Sequence, residues 1–246
     1  MVDLRSLAAV CVLAAVPIFV SRLRATTGSI RNVLLSFASG VSLAYVFTYI
    51  LPKLAAKHQV LFRADDPGLL GYLEHHAYLV ALGGFLIFYG LDLIAKRSKA
   101  RAELNESSNF NIHAVFELQV AVFSAYNVLV GYLLVQVERP LNLWLMVIAL
   151  GMHFLAADAA LRRQNPIRYD SIIRWIFFGC TLCGWTIAQY YNASDAVEAL
   201  WFAFLAGSII IIVIQEEIPS EQHARFWPFL IGCVMYTGLI LTIERL

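Results

Sequence analysis

The chain has 246 residues, 60% of them hydrophobic and only 14% charged, with a formal net charge of +1. The apolar share lies well above the roughly 45–50% of soluble domains, which excludes a soluble enzyme or a soluble binding module. No basic stripe with interleaved aromatics marks a nucleic-acid surface, and the four cysteines (Cys11, Cys180, Cys183 and Cys233) all fall in apolar runs, which argues against a disulfide framework.

The apolar residues come in runs about 20 long, the length that crosses a hydrocarbon core of roughly 30 Å. Eight spans are predicted, at roughly 4–21, 32–52, 77–95, 111–137, 141–162, 171–191, 197–218 and 226–244. The fold class is therefore all-α: one polytopic membrane domain over residues 1–246.

The first run, Leu7–Val20, is followed by Ser-Arg-Leu-Arg rather than by a small-residue cleavage site, so it reads as a retained helix. The second carries Ala38-Ser39-Gly40 and ends on Leu51-Pro52, ahead of a polar loop with the turn Asp65-Asp66-Pro67-Gly68. His75 and His76, beside Glu74, stand at the start of the third span. That span holds Gly84 and Gly90 and leads into a basic connection, Lys96-Arg97-Ser98-Lys99-Ala100-Arg101, expected to be flexible.

The fourth and fifth spans are joined by the short turn Glu138-Arg139-Pro140, and both carry polar residues deep inside. The fourth has Glu117, Gln119, Ser124, Tyr126 and Asn127; the fifth has His153 and Asp158. Such groups are costly against lipid, where no water bonds them, and ionisable ones inside a span usually face a bundle interior. Helices joined by so tight a turn are expected to be antiparallel neighbours. At 1.5 Å rise per residue, Asn127 and His153 then lie at similar depth near mid-membrane, on a shared pocket.

The sixth span contains Cys180-Thr181-Leu182-Cys183, read as small residues at a helix contact. The seventh carries Leu205-Ala206-Gly207, then Gln215-Glu216-Glu217 before Ile218-Pro219. The eighth has Gly232 and Gly238.

Lysine and arginine place 12 of the 18 basic residues on one side, which should be cytoplasmic. Both termini are then outside, and the expected location is the plasma (cell) membrane. Internal spacing suggests a repeat: Gly40–Pro52 and Gly207–Pro219 are both 12 apart, and Gly84–Gly90 and Gly232–Gly238 are both 6 apart. Spans 1–3 (about 1–97) and 6–8 (about 169–246) would be inverted units flanking the central pair (about 111–163), a 3+2+3 bundle of the kind many secondary transporters use.

Imidazole, carboxylate and amide oxygen together suit a borderline divalent ion. The candidate metal residues are Asn127, His153, Asp158 and Glu216. Tyr126, Tyr49, Gln215 and Glu217 are candidate pathway or packing groups. Plainer readings stand beside these. His153 also fits a buried histidine bonded to a neighbouring helix, Asn127 a packing residue, and Asp158 an i,i+4 ion pair with Arg162. Gln215, Glu216 and Glu217 fit either a solvated helix end or an acidic vestibule. His113 and Glu117 fit a helix-start pair.

The pattern resembles the ZIP family of divalent metal transporters over nearly the whole chain. Tyr126-Asn127-Val128-Leu129-Val130-Gly131 sits where that family has His-Asn-x-x-Asp/Glu-Gly. His153-Phe154-Leu155-Ala156-Ala157-Asp158 sits where it has His-Glu-x-Pro-His/Glu-Glu. Asn127, Gly131, His153 and an acid at 158 are kept; Tyr126, Val130, Phe154, Ala156 and Ala157 depart from the pattern. The resemblance implies transport of a zinc-, iron- or manganese-class ion toward the cytoplasm through a reduced site. It also implies no permanently bound cofactor and no enzymatic activity. The partners expected are the lipid bilayer and the divalent ion, with a homodimer left open and no nucleic acid. The alternative is a ZIP-fold protein that has lost metal transport and serves as a regulatory partner or carries another solute. A hydrolase built on His153 and Asp158 has no nucleophile-elbow or phosphate-loop motif to support it.

Overall fold

The computed structural model describes residues 3–22, 28–61, 77–104, 109–137, 139–217 and 225–243. Every regular element among them is helical. Eight helices are long and apolar enough to cross a membrane, as an integral multi-pass protein requires, because an α-helix meets its backbone hydrogen bonds internally where water is absent.

Helix α1 is Leu4–Arg22. Helix α2 runs from Gly28–Tyr45 through a π-helical turn, Val46–Ile50, into Leu51–Leu61. Helix α3 is Ala77–Leu104, α4 is Asn109–Val135 and α5 is Pro140–Gln164. Helix α6 combines Pro166–Arg168, a π turn at Tyr169–Ile173 and Arg174–Tyr190. Helix α7 is Asp195–Ile212 with a π turn at Val213–Glu217, and α8 is Phe226–Ile243.

Local chemistry sets these ends. Pro140 and Pro166 occupy first-turn positions, where a missing N–H costs nothing. The Asn165 side chain accepts from Arg168 N at 3.2 Å, and the Ser194 hydroxyl accepts from Val197 N at 3.4 Å. Three expected boundaries move. The second span runs on to Leu61 instead of ending on Leu51-Pro52. The sixth span begins at Pro166 rather than 171, because Asn165-Pro166 is a helix start. The basic segment after the third span is helical through Leu104 rather than a flexible link, and Lys96 reaches back one turn to Asp92 at 2.7 Å.

Three helix pairs approach backbone to backbone: α2 with α8, α3 with α7, and α4 with α6. Glycine makes each contact. A methyl at Gly40 would strike the Phe229 carbonyl, and one at Gly232 the Phe37 carbonyl. Gly84 and Gly207 stand in the same way against Phe204 and Ala81, and Gly131 and Gly184 against Thr181 and Val128. Small residues at crossings are how membrane helices come close without a hydrophobic driving force. Four of the six glycines singled out by spacing fall into two crossings, Gly40 with Gly232 and Gly207 with Gly84. Gly90 and Gly238, the remaining members of the pattern, both face open space. Each of Gly40 and Gly207 is followed six residues later by a π turn.

Helix α5 is the most enclosed of the eight, packed against α1, α2 and the π turn of α7. Contrary to expectation, α4 and α5 are not close neighbours: among the described residues their backbones scarcely approach. The large rings of Tyr126, His153 and Phe154 fill the gap between them.

Gly184→Ala should therefore force α4 and α6 apart and lower stability by about 1–3 kcal/mol. Gly179→Ala, on the same helix but facing open space, should be close to neutral. Reversible unfolding in mixed micelles measures both.

Candidate functional site

His153 sits near the middle of α5 and is 1% exposed. Its Nε2 lies 2.9 Å from the Tyr126 hydroxyl on α4, a hydrogen bond whose donor depends on the imidazole tautomer. Phe88, Phe123, Tyr126 and Phe154 form a continuous ring cluster that meets it through Tyr126 and Phe154. Residue 126 on one helix reaches residue 153 on the other, so the two stand at one level along the pair.

Asn127 turns elsewhere. Its Nδ2 donates to its own helix at the Phe123 carbonyl, 2.8 Å, and its Oδ1 accepts from the Thr181 hydroxyl of α6, 3.1 Å. The reason is local: successive residues of an α-helix point about 100° apart, and Gly131 and Gly184 draw α6 onto the Asn127 face. Asn127 and His153 thus share a level but not a pocket. In the Cys180–Cys183 segment Thr181, with Gly184 beyond it, packs on α4, and Cys180 meets Ser124 of the same helix; Cys183 is exposed.

Asp158 is 4% exposed and lies beside Tyr169 in the π turn of α6. Neither its Oδ2 nor the Tyr169 hydroxyl closes a hydrogen bond. The Asp158–Arg162 pair is not formed: Arg162 instead holds Asp170 bidentately, Nε to Oδ1 at 2.7 Å and Nη2 to Oδ2 at 2.6 Å. Two planar groups meeting edge to edge outcompete a one-turn contact on the same helix. Likewise Glu117 pairs with Arg168 rather than with His113.

Tyr49, in the π turn of α2, accepts from Lys53 Nζ at 2.8 Å and stacks on Tyr45 at 5.1 Å between centroids. The Lys53 ammonium lies over the Tyr49 and Phe202 rings. Gln215 is half-buried on α7 and lines a cavity with α3, α4 and α5. Glu216 and Glu217 close the π turn Val213–Glu217, but their side chains, like His75, His76 and Pro219, lie outside the described residues, and the acidic vestibule with them.

The structure therefore joins Tyr126 to His153 and Asn127 to Thr181, and sets Asp158 beside Tyr169, in three separate places. No three His, Cys, Asp or Glu side chains converge on one ion among the described residues. Thr181 and Tyr169 were not expected as partners. Thr181 had one usable mark, its position three residues before Gly184; Tyr169 had none, because it falls before the apolar run that defined the sixth span. No protein-family model matches the chain, and no curated protein matches it.

Tyr126→Phe should leave His153 Nε2 without its phenol partner, at a cost of about 1–3 kcal/mol. Thr181→Val, which removes an exchangeable interhelical bond, should cost about 0.6 kcal/mol. Unfolding free energies of the two variants in micelles check the order.

Proposed function

We propose that this chain is a ZIP-like membrane transporter that passes a divalent cation of the zinc, iron or manganese class toward the cytoplasm. Both termini lie outside, in the plasma membrane, and spans 1–3 and 6–8 act as inverted halves around α4 and α5. The observation that carries the reading is His153, buried at the middle of the most enclosed helix, with a phenol oxygen 2.9 Å from its Nε2. An imidazole and an oxygen donor at mid-depth are a minimal resting place for a borderline ion.

Few strong donors suit passage rather than storage, since conduction needs binding weak enough to release. The matched glycine crossings support two halves built alike: α2 meets α8 as α7 meets α3, through the glycines that share spacing. Asn127 and Asp158 would serve on this reading only after a change of partner, from Thr181 and Tyr169 respectively.

A second reading has its own support. His153 Nε2 is already engaged by Tyr126, and Asn127 is satisfied on both amide atoms. That is what a ZIP-like frame that has lost metal transport, retained as an interaction partner or for another solute, would look like.

Uptake of zinc, iron(II) or manganese into proteoliposomes separates the two. The transport reading expects accumulation above empty liposomes that falls to background in His153→Ala. Full retention in that variant removes the proposed site, and absence of uptake by the unaltered protein favours the second reading.

A further inference from the structure

Helices α1 and α6 lie side by side and antiparallel. Near one end Trp185 Nε1 donates to the Ser6 hydroxyl at 3.1 Å. Near the other, Ser21 lies beside Asp170. Each helix advances 15 residues between these contacts (21 − 6 and 185 − 170), about 22 Å at 1.5 Å per residue. The second contact therefore falls at the end of both helices, the level of lipid headgroups in a spanning bundle. The end of α5 joins it there through Arg162, whose guanidinium holds Asp170.

Two polar atoms at this end are buried and unmet. Arg174 Nε donates no hydrogen bond, and the Ser21 hydroxyl closes none. Both side chains lie near Asp170, but its two oxygens are taken by Arg162 at 2.7 and 2.6 Å. A guanidinium nitrogen and a hydroxyl buried without partners are costly, and one acceptor would satisfy both. The surrounding charge favours an anion. Arg162 and Arg168 are engaged by Asp170 and Glu117, while no acid among the described residues pairs with Arg22, Arg163 or Arg174. Asp158 is buried against Tyr169 instead. Residues 23–27, next in the chain after α1, add Arg24 and no acid. Beside these charges α1 and α6 carry Phe19, Ile172, Trp175 and Ile176, each 39% to 52% exposed. The Arg174 guanidinium lies 5.3 Å from the centre of the Trp175 ring, and a tryptophan so placed marks the headgroup level.

We propose that this end of α1 and α6 binds an anionic phospholipid. The lipid phosphate accepts from Arg174 Nε and from the Ser21 hydroxyl, Arg22 and Arg163 add longer-range attraction, and an acyl chain lies on Phe19, Ile172 and Ile176. A charge-assisted bond from guanidinium to phosphate is among the stronger hydrogen bonds available. Headgroup charge selects the lipid. A zwitterionic headgroup carries its own ammonium beside the phosphate, which the arginines repel, whereas an anionic one brings no cation. Basic pockets between helix ends recognise lipids in this way. The site is distinct from His153 and does not depend on divalent transport, so failure of the metal-uptake experiment leaves it standing.

The test uses the full-length protein in micelles of an uncharged detergent. The thermal midpoint is titrated with phosphatidylglycerol, with phosphatidylcholine of the same acyl chains, and with inorganic phosphate, all at constant ionic strength. The expected result is a saturable rise with phosphatidylglycerol, the mark of a ligand held by the folded state, at concentrations where the other two give none. Arg174→Ala should raise the half-saturating concentration about tenfold or more, the effect of losing a charged hydrogen-bond partner. Ser21→Ala should raise it too, with no change of charge. Arg163→Ala removes an equal charge from the same end and should shift it less than Arg174→Ala does. Equal responses to the two lipids, a response to inorganic phosphate matching that to phosphatidylglycerol, an unchanged half-saturation in Ser21→Ala, or equal shifts in Arg163→Ala and Arg174→Ala would each overturn the assignment. If Arg174→Ala does not fold, Arg174→Lys takes its place: it keeps the charge, loses Nε and should still bind phosphatidylglycerol more weakly than the unaltered protein.

Discussion

Helix backbones meeting at glycine hold this molecule together. Lipid tails are as apolar as the side chains facing them, so burial offers little reason for one membrane helix to prefer another. Close contact must come from shape. At Gly40 with Gly232, Gly84 with Gly207, and Gly131 with Gly184, the missing side chains let main chains touch. Those three crossings bring six helices together as pairs and leave α1 and α5 to fill between them. The positions of Tyr126, His153 and Asn127 follow from that arrangement.

The level of the polar groups along their helices was legible before any coordinates. Eight apolar runs count the helices, and a short turn between the fourth and fifth puts residues 126–127 and 153 on one level. The direction of each side chain was not. Asn127 and Tyr126 are adjacent in the chain, and which one turns toward His153 depends on where α6 sits. That is decided by Gly131 and Gly184, whose partnership crosses 53 residues and leaves no local trace. The glycine spacing that suggested related halves was readable; that those glycines meet each other in crossed pairs was not. Asp158 was misplaced for a similar reason, because its nearest basic residue, Arg162, had a better partner in Asp170 on the following helix.

The interior that results is aromatic more than ionic. Tyr45, Tyr49, Tyr126 and Tyr236, with Phe88, Phe123 and Phe154, make ring-to-ring contacts through it. Hydroxyls on rigid rings hold geometry with few rotatable bonds and bury apolar area while keeping one polar atom available. The Tyr236 hydroxyl, for example, reaches the Leu145 carbonyl of α5 at 3.1 Å, so a ring from the least enclosed helix pins the most enclosed one.

The π turns in α2 and α7 alter which neighbours each helix serves. A turn with an extra residue advances every later side chain around the axis by about a hundred degrees. Before Val46–Ile50, α2 lies against α8 and α5; beyond it, Leu51–Leu61 lies against α7 and α3. On α7, Asp195–Ile212 lies chiefly against α3, while Val213–Glu217 lies against α5 and α2. Helix α2 is in effect two shorter rods set out of phase, so a single-residue insertion or deletion in its π turn would re-aim the whole of Leu51–Leu61.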